Sequence, residues 1–269
     1  MRTLDAAACA ALLDPLTALG AGAAQAIRDT GAESGLRRKA DGSPVTAADE
    51  TAEALIRDGL SRLAPDVPII SEEHAERETP KVPTGKGASY FLVDPLDGTR
   101  EFIAGSDEYT VNIAVVTDGV PILGIIAAPA MGLAWRGIAG RGAERLELPG
   151  GGKVLAPLPI HTRPWPVRDM IIMVSRSHLE ARTRAFLENF AGAKLVQCGS
   201  SLKFCRLAEG AADLYPRLAP TRDWDVAAGH AVLAAAGGHV ASPGRSPLAY
   251  GGPDLLIPGF IASGDPFTA

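Results

Sequence analysis

The chain of 269 residues carries 26 lysines and arginines against 31 aspartates and glutamates, a formal charge of -5. That balance argues against a protein that holds a nucleic acid polymer by general phosphate neutralisation, which needs a clear excess of Lys and Arg. With 46% hydrophobic residues, only 5% aromatics and three cysteines that form no CxxC pair, the composition suits Ala-rich helices packed on sheets, with no disulfide framework or zinc cluster indicated.

The N-terminal stretch places Asp5 and Asp14 where the apolar core of a signal peptide would lie, and reads as an amphipathic helix. No run reaches the roughly 18 consecutive apolar residues of a membrane span. No transmembrane segment is therefore expected; a cytoplasmic setting is the simplest, with peripheral contact at the inner membrane left open. Residues 31–45 are Gly-rich, charged and free of apolar period, which predicts a mobile loop. Thr46 and Asp49, three apart ahead of TAEALIRDGLSRLA, predict a capping box at the start of a second helix that Pro65 ends.

VPIIS (67–71) and SYFLVD (89–94) predict strands that deliver carboxylates at their ends. Residues 109–136 predict two or three further strands turning at Asp118-Gly119. Residues 137–166 hold glycines and prolines without sustained period and predict a junction. The chain then divides into an α+β half, residues 1–160, and an α/β half, residues 161–269, in a single compact unit. In the second half MIIMVS, AKLVQCG and ADLYPRL predict strands that alternate with the helices LEARTRAFLENFA, SSLKFCRLAEGA and WDVAAGHAVLAAAGG.

The run Asp94-Pro95-Leu96-Asp97-Gly98-Thr99 is the sharpest chemical feature. Two carboxylates and the Leu96 carbonyl on a tight turn suit Mg²⁺, which takes a few protein oxygens and leaves room for water and a phosphate. A plain Asp-Pro-Gly turn is the structural alternative. Glu72, at the end of the preceding strand, brings a third acid to the carboxyl edge of the sheet, where ligands gather in α/β folds. Asp225 precedes a helix, where a carboxylate either serves a metal or simply favours the positive helix end. Thr99 and Asp49 form a hydroxyl–carboxylate pair able to orient an attacking water, or cap their own helices. The Gly98 and Thr99 amides suit a bound phosphate.

DGSPVTAADE, SEEH, VDPLDGTREF and WDVAAGHAVLAAAGG, in this order, resemble the signatures of the lithium-sensitive inositol monophosphatase superfamily, over nearly the whole chain. VSRSH (174–178), CGSSLKFC (198–205) and LYPRLAPTRDWD (214–225) resemble its branch of CysQ-type 3'(2'),5'-bisphosphate nucleotidases, and Arg100-Glu101-Phe102 stands where inositol monophosphatases usually have Thr-Asn-Phe. The resemblance implies a layered αβαβα sandwich of the inositol-monophosphatase/fructose-bisphosphatase type. It implies two or three Mg²⁺ ions held by Glu72, Asp94, Asp97, Asp225 and the Leu96 carbonyl. Asp49 and Thr99, with Glu72 nearby, would orient water, and Lys39 would lie on a loop closing over the site.

Substrate choice would rest on the run Ser175, Arg176, Ser177 and His178 and on Ser200, Ser201, Lys203 and Arg217. The implied reaction is hydrolysis of adenosine 3',5'-bisphosphate to AMP and phosphate, with 3'-phosphoadenylyl sulfate as a second substrate and inhibition by Li⁺. Inositol or sugar phosphates are the alternative substrates, and a non-catalytic metal- or nucleotide-binding protein is the alternative from another class. The expected partner is a small phosphate ester, and the protein a monomer or homodimer.

Overall fold

The computed structural model describes residues 3–32, 34–39, 42–148, 156–165, 168–176, 179–252 and 254–265. Its first element, α1 (Ala6–Thr30), is capped by Asp5, whose carboxylate accepts from the Ala7 and Ala8 amides at 3.0 and 2.8 Å. By length and mean hydropathy alone α1 could cross a membrane, a property that a count of consecutive apolar residues misses. Its apolar face is nevertheless used within the fold, with Leu12, Leu16, Ala24 and Ile27 buried in a core shared with the next helix and the first sheet.

The stretch expected as a mobile loop holds a small antiparallel ribbon, β1 (Arg37–Arg38) with β2 (Pro44–Val45). Next comes α2 (Ala47–Leu63), opened by the expected capping box: the Thr46 amide and hydroxyl donate to Asp49 at 2.7 and 2.6 Å. Then follow β3 (Ile69–Ser71), the short α3 (Glu72–Ala75), β4 (Ser89–Asp97), the five-residue α4 (Thr99–Ile103), β5 (Thr110–Thr117), β6 (Val120–Ala128), β7 (Leu133–Ile138), β8 (Gly142–Glu147) and β9 (Leu158–Ile160). Strands β3 to β9 form one sheet in chain order, antiparallel throughout except for the parallel pair β3–β4.

The second half contributes β10 (Ile171–Ser175), α5 (Ala181–Leu187), β11 (Lys194–Cys198), α6 (Leu202–Ala208), β12 (Leu214–Arg217), β13 (Thr221–Arg222), α7 (Asp223–Ala235), β14 (His239–Ala241), β15 (Leu256–Ile257) and β16 (Phe260–Ser263). Its five-stranded sheet runs β11-β10-β12-β16-β14, and β13 pairs with β15 in a separate ribbon. Residues 137–166 depart from the expected junction. β7 and β8 carry the first sheet through residue 147, and β9 adds its last strand. Polar residues and Gly142 at φ 108° hid β8 from a count of apolar period.

Period-two alternation along β4 sorts the layers. Phe91 and Val93 face a core shared with α1 and α2, while Tyr90 and Leu92 join a second core with residues of α6, α7, β12 and β16. A third, smaller cluster puts Ile172, Val174 and Leu214 of the second sheet against Phe186 and Leu187 of α5. The order α1/α2, sheet, α6/α7, sheet, α5 is the expected αβαβα sandwich. Burying each large side chain in these cores contributes about 1.5–3 kcal/mol.

α7 reaches its layer through a groove of small residues. Gly124 on β6 pairs with Gly137 on β7, in a row with Ala114 and Ala143 on the flanking strands. A Cβ built at Gly124 would lie 2.3 Å from the Ala228 carbonyl of α7, and one at Gly137 would lie 2.6 Å from the Ala235 methyl. The backbones of helix and sheet therefore meet at a distance that only absent side chains allow.

Candidate active site

The acidic run is a bulge before it is a turn. β4 and β5 pair Asp94 with Asn112 and then Asp97 with Thr110, three steps on one strand against two on the other. Pro95, with no N–H to give the ladder, sits in the extra length. The Leu96 amide folds back to donate to Asp94 Oδ1 at 3.1 Å. Gly98 then turns the chain at φ 94° into α4. A Cβ there would stand 3.1 Å from the Glu108 carbonyl, so the position is fixed by space as well as by φ.

Thr99, first residue of α4, has its Oγ1 3.1 Å from Asp49 Oδ1 and 3.2 Å from the Leu96 carbonyl. Asp49 is 1% exposed, and burial raises its carboxyl while the hydrogen bonds from Thr46 and Thr99 oppose the rise. The pair predicted from sequence is thus in contact, and the α2 capping box holds the other oxygen of Asp49.

Four further carboxylates face the same region. Burial raises Asp94 well above the carboxylate range, and the charges of Glu72, Asp97 and Asp225 raise it further. Burial and the Asp225 charge push Asp97 up to about 7, against the pull of Lys203 and Arg217. Glu72 rises to about 8 through burial and the charges of Asp225 and Glu73, with Lys39 pulling it back. Asp225, in the first turn of α7, accepts from the Thr221 hydroxyl and, at 3.2 Å, from the Arg222 amide.

The second half closes the site from the opposite side. A cavity of about 270 Å³ is lined by Glu72, Asp97, Thr99 and Asp225 together with Ser175, Ser200, Lys203 and Arg217. Lys203 is 2% exposed and donates to the Cys198 and Ser200 carbonyls at 3.0 and 2.5 Å, with its ammonium 5.2 Å from the centre of the Tyr215 ring. Arg217 Nε is buried without a hydrogen-bond partner.

Residues 8–264 match the model of the inositol monophosphatase family. The chain belongs to that family. Among curated proteins it is 45% identical over 231 residues to the 3'(2'),5'-bisphosphate nucleotidase CysQ of Shigella flexneri, a match covering 84% of this chain and 87% of that one. The CysQ of Escherichia coli K12 matches with the same identity and coverage. Among solved structures, CysQ from Bacteroides thetaiotaomicron, a bacterial member of the inositol monophosphatase family, superposes with a TM-score of 0.72 at 33% identity, covering 93% of this chain and 96% of that one.

In this inositol monophosphatase family member, the expected site residues are differently placed from one another. Lys39 is the first correction. Its ammonium is held at 2.7 Å from Glu72, 2.7 Å from Glu73 and 2.9 Å from Glu76, and its side chain is 5% exposed. Burial works against its charge, but Glu72 and Glu73 outweigh it and hold the group well above the ordinary lysine range. It is tied to the acids of α3, and it does not join the lining of the cavity. Ser201 is the second correction, because its hydroxyl turns away from the cavity to Thr110 Oγ1 at 2.8 Å and Asn112 Oδ1 at 2.7 Å. Its neighbour Ser200, at φ 45°, lines the cavity in its place. Ser177 and His178 lie outside the described residues.

Among the described residues no three acidic, histidine or cysteine side chains already converge as a metal-ligand group. The donor set nevertheless fits a hard cation. No ammonium or guanidinium among the described residues lies within 4.0 Å of Asp94, Asp97 or Asp225, and Lys203 and Arg217 act on Asp97 only from beyond that distance, so ionising these buried acids together is costly unless a cation enters. The one ammonium in ion-pair contact with these acids, that of Lys39, occupies Glu72 alone of the four.

Two features escaped the sequence. Glu108 takes a bidentate pair from Arg176 at 2.9 Å and the Gly199 amide at 2.8 Å, joining the two halves beside the cavity. Asn112 reaches Asp97 from β5 at 3.4 Å. A lone Asn inside the apolar run YTVNIAVV was the available signal for the second; nothing distinguished Glu108 from a surface acid.

Proposed function

We propose that this chain is a metal-dependent 3'(2'),5'-bisphosphate nucleotidase of the cytoplasm, hydrolysing adenosine 3',5'-bisphosphate to AMP and phosphate, with 3'-phosphoadenylyl sulfate as a second substrate. The observation that carries the reading is one cavity with two unlike walls, clustered carboxylates on one side and Lys203 with the unpartnered Arg217 Nε on the other. A substrate with two phosphates addresses both walls. The identity of 45% to CysQ proteins supports the same substrate class, in which the enzyme would clear a by-product of sulfate assimilation.

Glu72, Asp94, Asp97, Asp225 and the Leu96 carbonyl would hold two or three Mg²⁺ ions, which supply positive charge to the phosphoryl oxygens and favour ionisation of water. Thr99 Oγ1 accepts a proton from the attacking water while its own passes to Asp49, to which it is hydrogen bonded. Burial of Asp49 favours its taking that proton. The Gly98 and Thr99 amides bind the phosphate to be cleaved. Lys203 spends two of its three N–H groups on the Cys198 and Ser200 carbonyls, which leaves the third for the other phosphate. Arg217 adds charge-assisted hydrogen bonds to that same phosphate.

Thr99→Val keeps the shape and removes the proton path; kcat for phosphate release is expected to fall by about 10²-fold or more, and a rate within threefold of wild type would remove Thr99 from the mechanism. The substrate is tested by phosphate release, with Mg²⁺, from adenosine 3',5'-bisphosphate beside inositol 1-phosphate and fructose 1,6-bisphosphate. The adenosine compound is expected to have the highest kcat/KM, and Arg217→Ala to cut its advantage by about 10- to 100-fold, the worth of one or two charge-assisted hydrogen bonds. A preference for inositol 1-phosphate, untouched by Arg217→Ala, would keep the chemistry and overturn the substrate.

A further inference from the structure

The polar residues of β5 form a directed chain that ends on Asp97. Thr110 and Asn112 lie two apart on one face of the strand, opposite the two ends of the β4 bulge. Ser201 Oγ meets Thr110 Oγ1 at 2.8 Å and Asn112 Oδ1 at 2.7 Å, and Asn112 Nδ2 lies 3.4 Å from Asp97 Oδ2. Thr110, Asn112 and Ser201 are 0, 1 and 2% exposed. A serine hydroxyl has one proton to give; since Ser201 gives it to Asn112, Thr110 must donate to Ser201. The Asn112 amide is thereby oriented with its nitrogen toward Asp97, because the reverse orientation would set a carbonyl oxygen against a carboxylate.

The position of Ser201 is informative. It stands at the N-cap of α6, where a serine ordinarily accepts a bond from an amide of its own helix, yet it makes no side-chain cap bond. Its hydroxyl is committed instead to the first half of the molecule. The same helix carries Lys203 in its first turn, so a single buried serine ties the helix of the cationic wall to the acid of the other wall. At 3.4 Å the last contact is long, and its strength comes from the carboxylate's charge.

We propose that Asn112, held by Ser201, is a positioning residue that sets Asp97 against α6, so that the two walls of the cavity keep one register. The inference rests on the metal-dependent reading above but not on the identity of the substrate. Groups that orient a ligand from behind it are worth roughly 10- to 100-fold in metal affinity or activity.

The test is calorimetric titration of Mg²⁺ into chelator-treated full-length protein, with thermal melting and kcat and KM alongside, for wild type, Asn112→Ala, Ser201→Ala and the double variant. Asn112→Ala is expected to weaken Mg²⁺ binding about tenfold and to lower kcat with little change in KM. Ser201→Ala is expected to weaken binding about threefold, and the double variant no more than Asn112→Ala alone, since the serine acts through the asparagine. If Asn112→Ala does not fold, Ser201→Ala carries the test. Variants that melt earlier but bind Mg²⁺ and turn over like wild type overturn the inference, as do additive effects in the double variant. A wild-type protein that binds no Mg²⁺ overturns instead the reading beneath it, and one that binds Mg²⁺ but cleaves no nucleotide overturns only the substrate.

Discussion

Asp97→Asn is expected to reduce phosphate release by about 10³-fold or more while making the metal-free protein melt at a higher temperature. The two halves of this result have one cause. Asp97 sits in a buried acidic group, close enough to Asp225 for repulsion to help push it up to about 7, and no described cation lies in ion-pair contact with it. Removing its charge relieves that repulsion when no metal is present. With metal present the same change would, on the proposed reading, delete a ligand and several kcal/mol of transition-state charge stabilisation, and at about 1.4 kcal/mol per tenfold that is about three powers of ten. The asparagine is nearly the same shape, so loss of packing does not enter. Initial rates of phosphate release and melting in chelator check both halves; a variant within tenfold of wild-type rate, or one that melts earlier in chelator, would remove Asp97 from the cation site.

The second large effect is on stability against pH. Glu72 and Asp97 have folded-state values of about 8 and about 7, above those of the same side chains in an unfolded chain, and Asp94 and Asp223 are raised in the same direction. The folded protein therefore holds these protons more tightly than the unfolded one. Their stabilising contribution is complete below about pH 4 and is lost as the pH rises through 7 and 8. Chelator-treated protein is expected to melt several degrees lower at pH 8.5 than at pH 5.5. On the proposed reading, excess Mg²⁺ would bind the ionised folded site and is expected to raise the melting temperature much more at pH 8.5 than at pH 5.5. A melting temperature in chelator that is flat or rising across this window, or a Mg²⁺ effect equal at both ends, would contradict a cluster of buried acids that hold their protons.

Much of this was legible in the chain because local signals and tertiary needs agree. Thr46 and Asp49 make a capping box by spacing alone, and the box is present. The alternating strands and helices after residue 170 follow from apolar period and are found in that order. What sequence could not supply was the direction in which side chains point. Ser200 and Ser201 are adjacent and chemically identical, and only the turn at Ser200, φ 45°, decides that one lines the cavity and the other faces the sheet. Lys39 reads as a basic residue on a loop over the site until the fold brings Glu72, Glu73 and Glu76 around it. Strand β8 was missed for a different reason: its buried Ala143 and Leu146 stand among Glu144, Arg145 and Glu147, too few to show a period, so its pairing with β7 defines it.

The row of glycines under α7 bears on the site although none of them lines the cavity. Asp225 rides on the first turn of a helix whose Ala228 carbonyl rests where the Gly124 side chain would be. The depth to which that carboxylate reaches toward Glu72, Asp94 and Asp97 is thus gauged one turn away, by the thickness of a sheet. A single methyl group at Gly124 would act as a shim, lifting the helix and withdrawing one acid from the other three. The separation of charges in the active site is in this sense machined into the floor of the sandwich, by atoms that are not there.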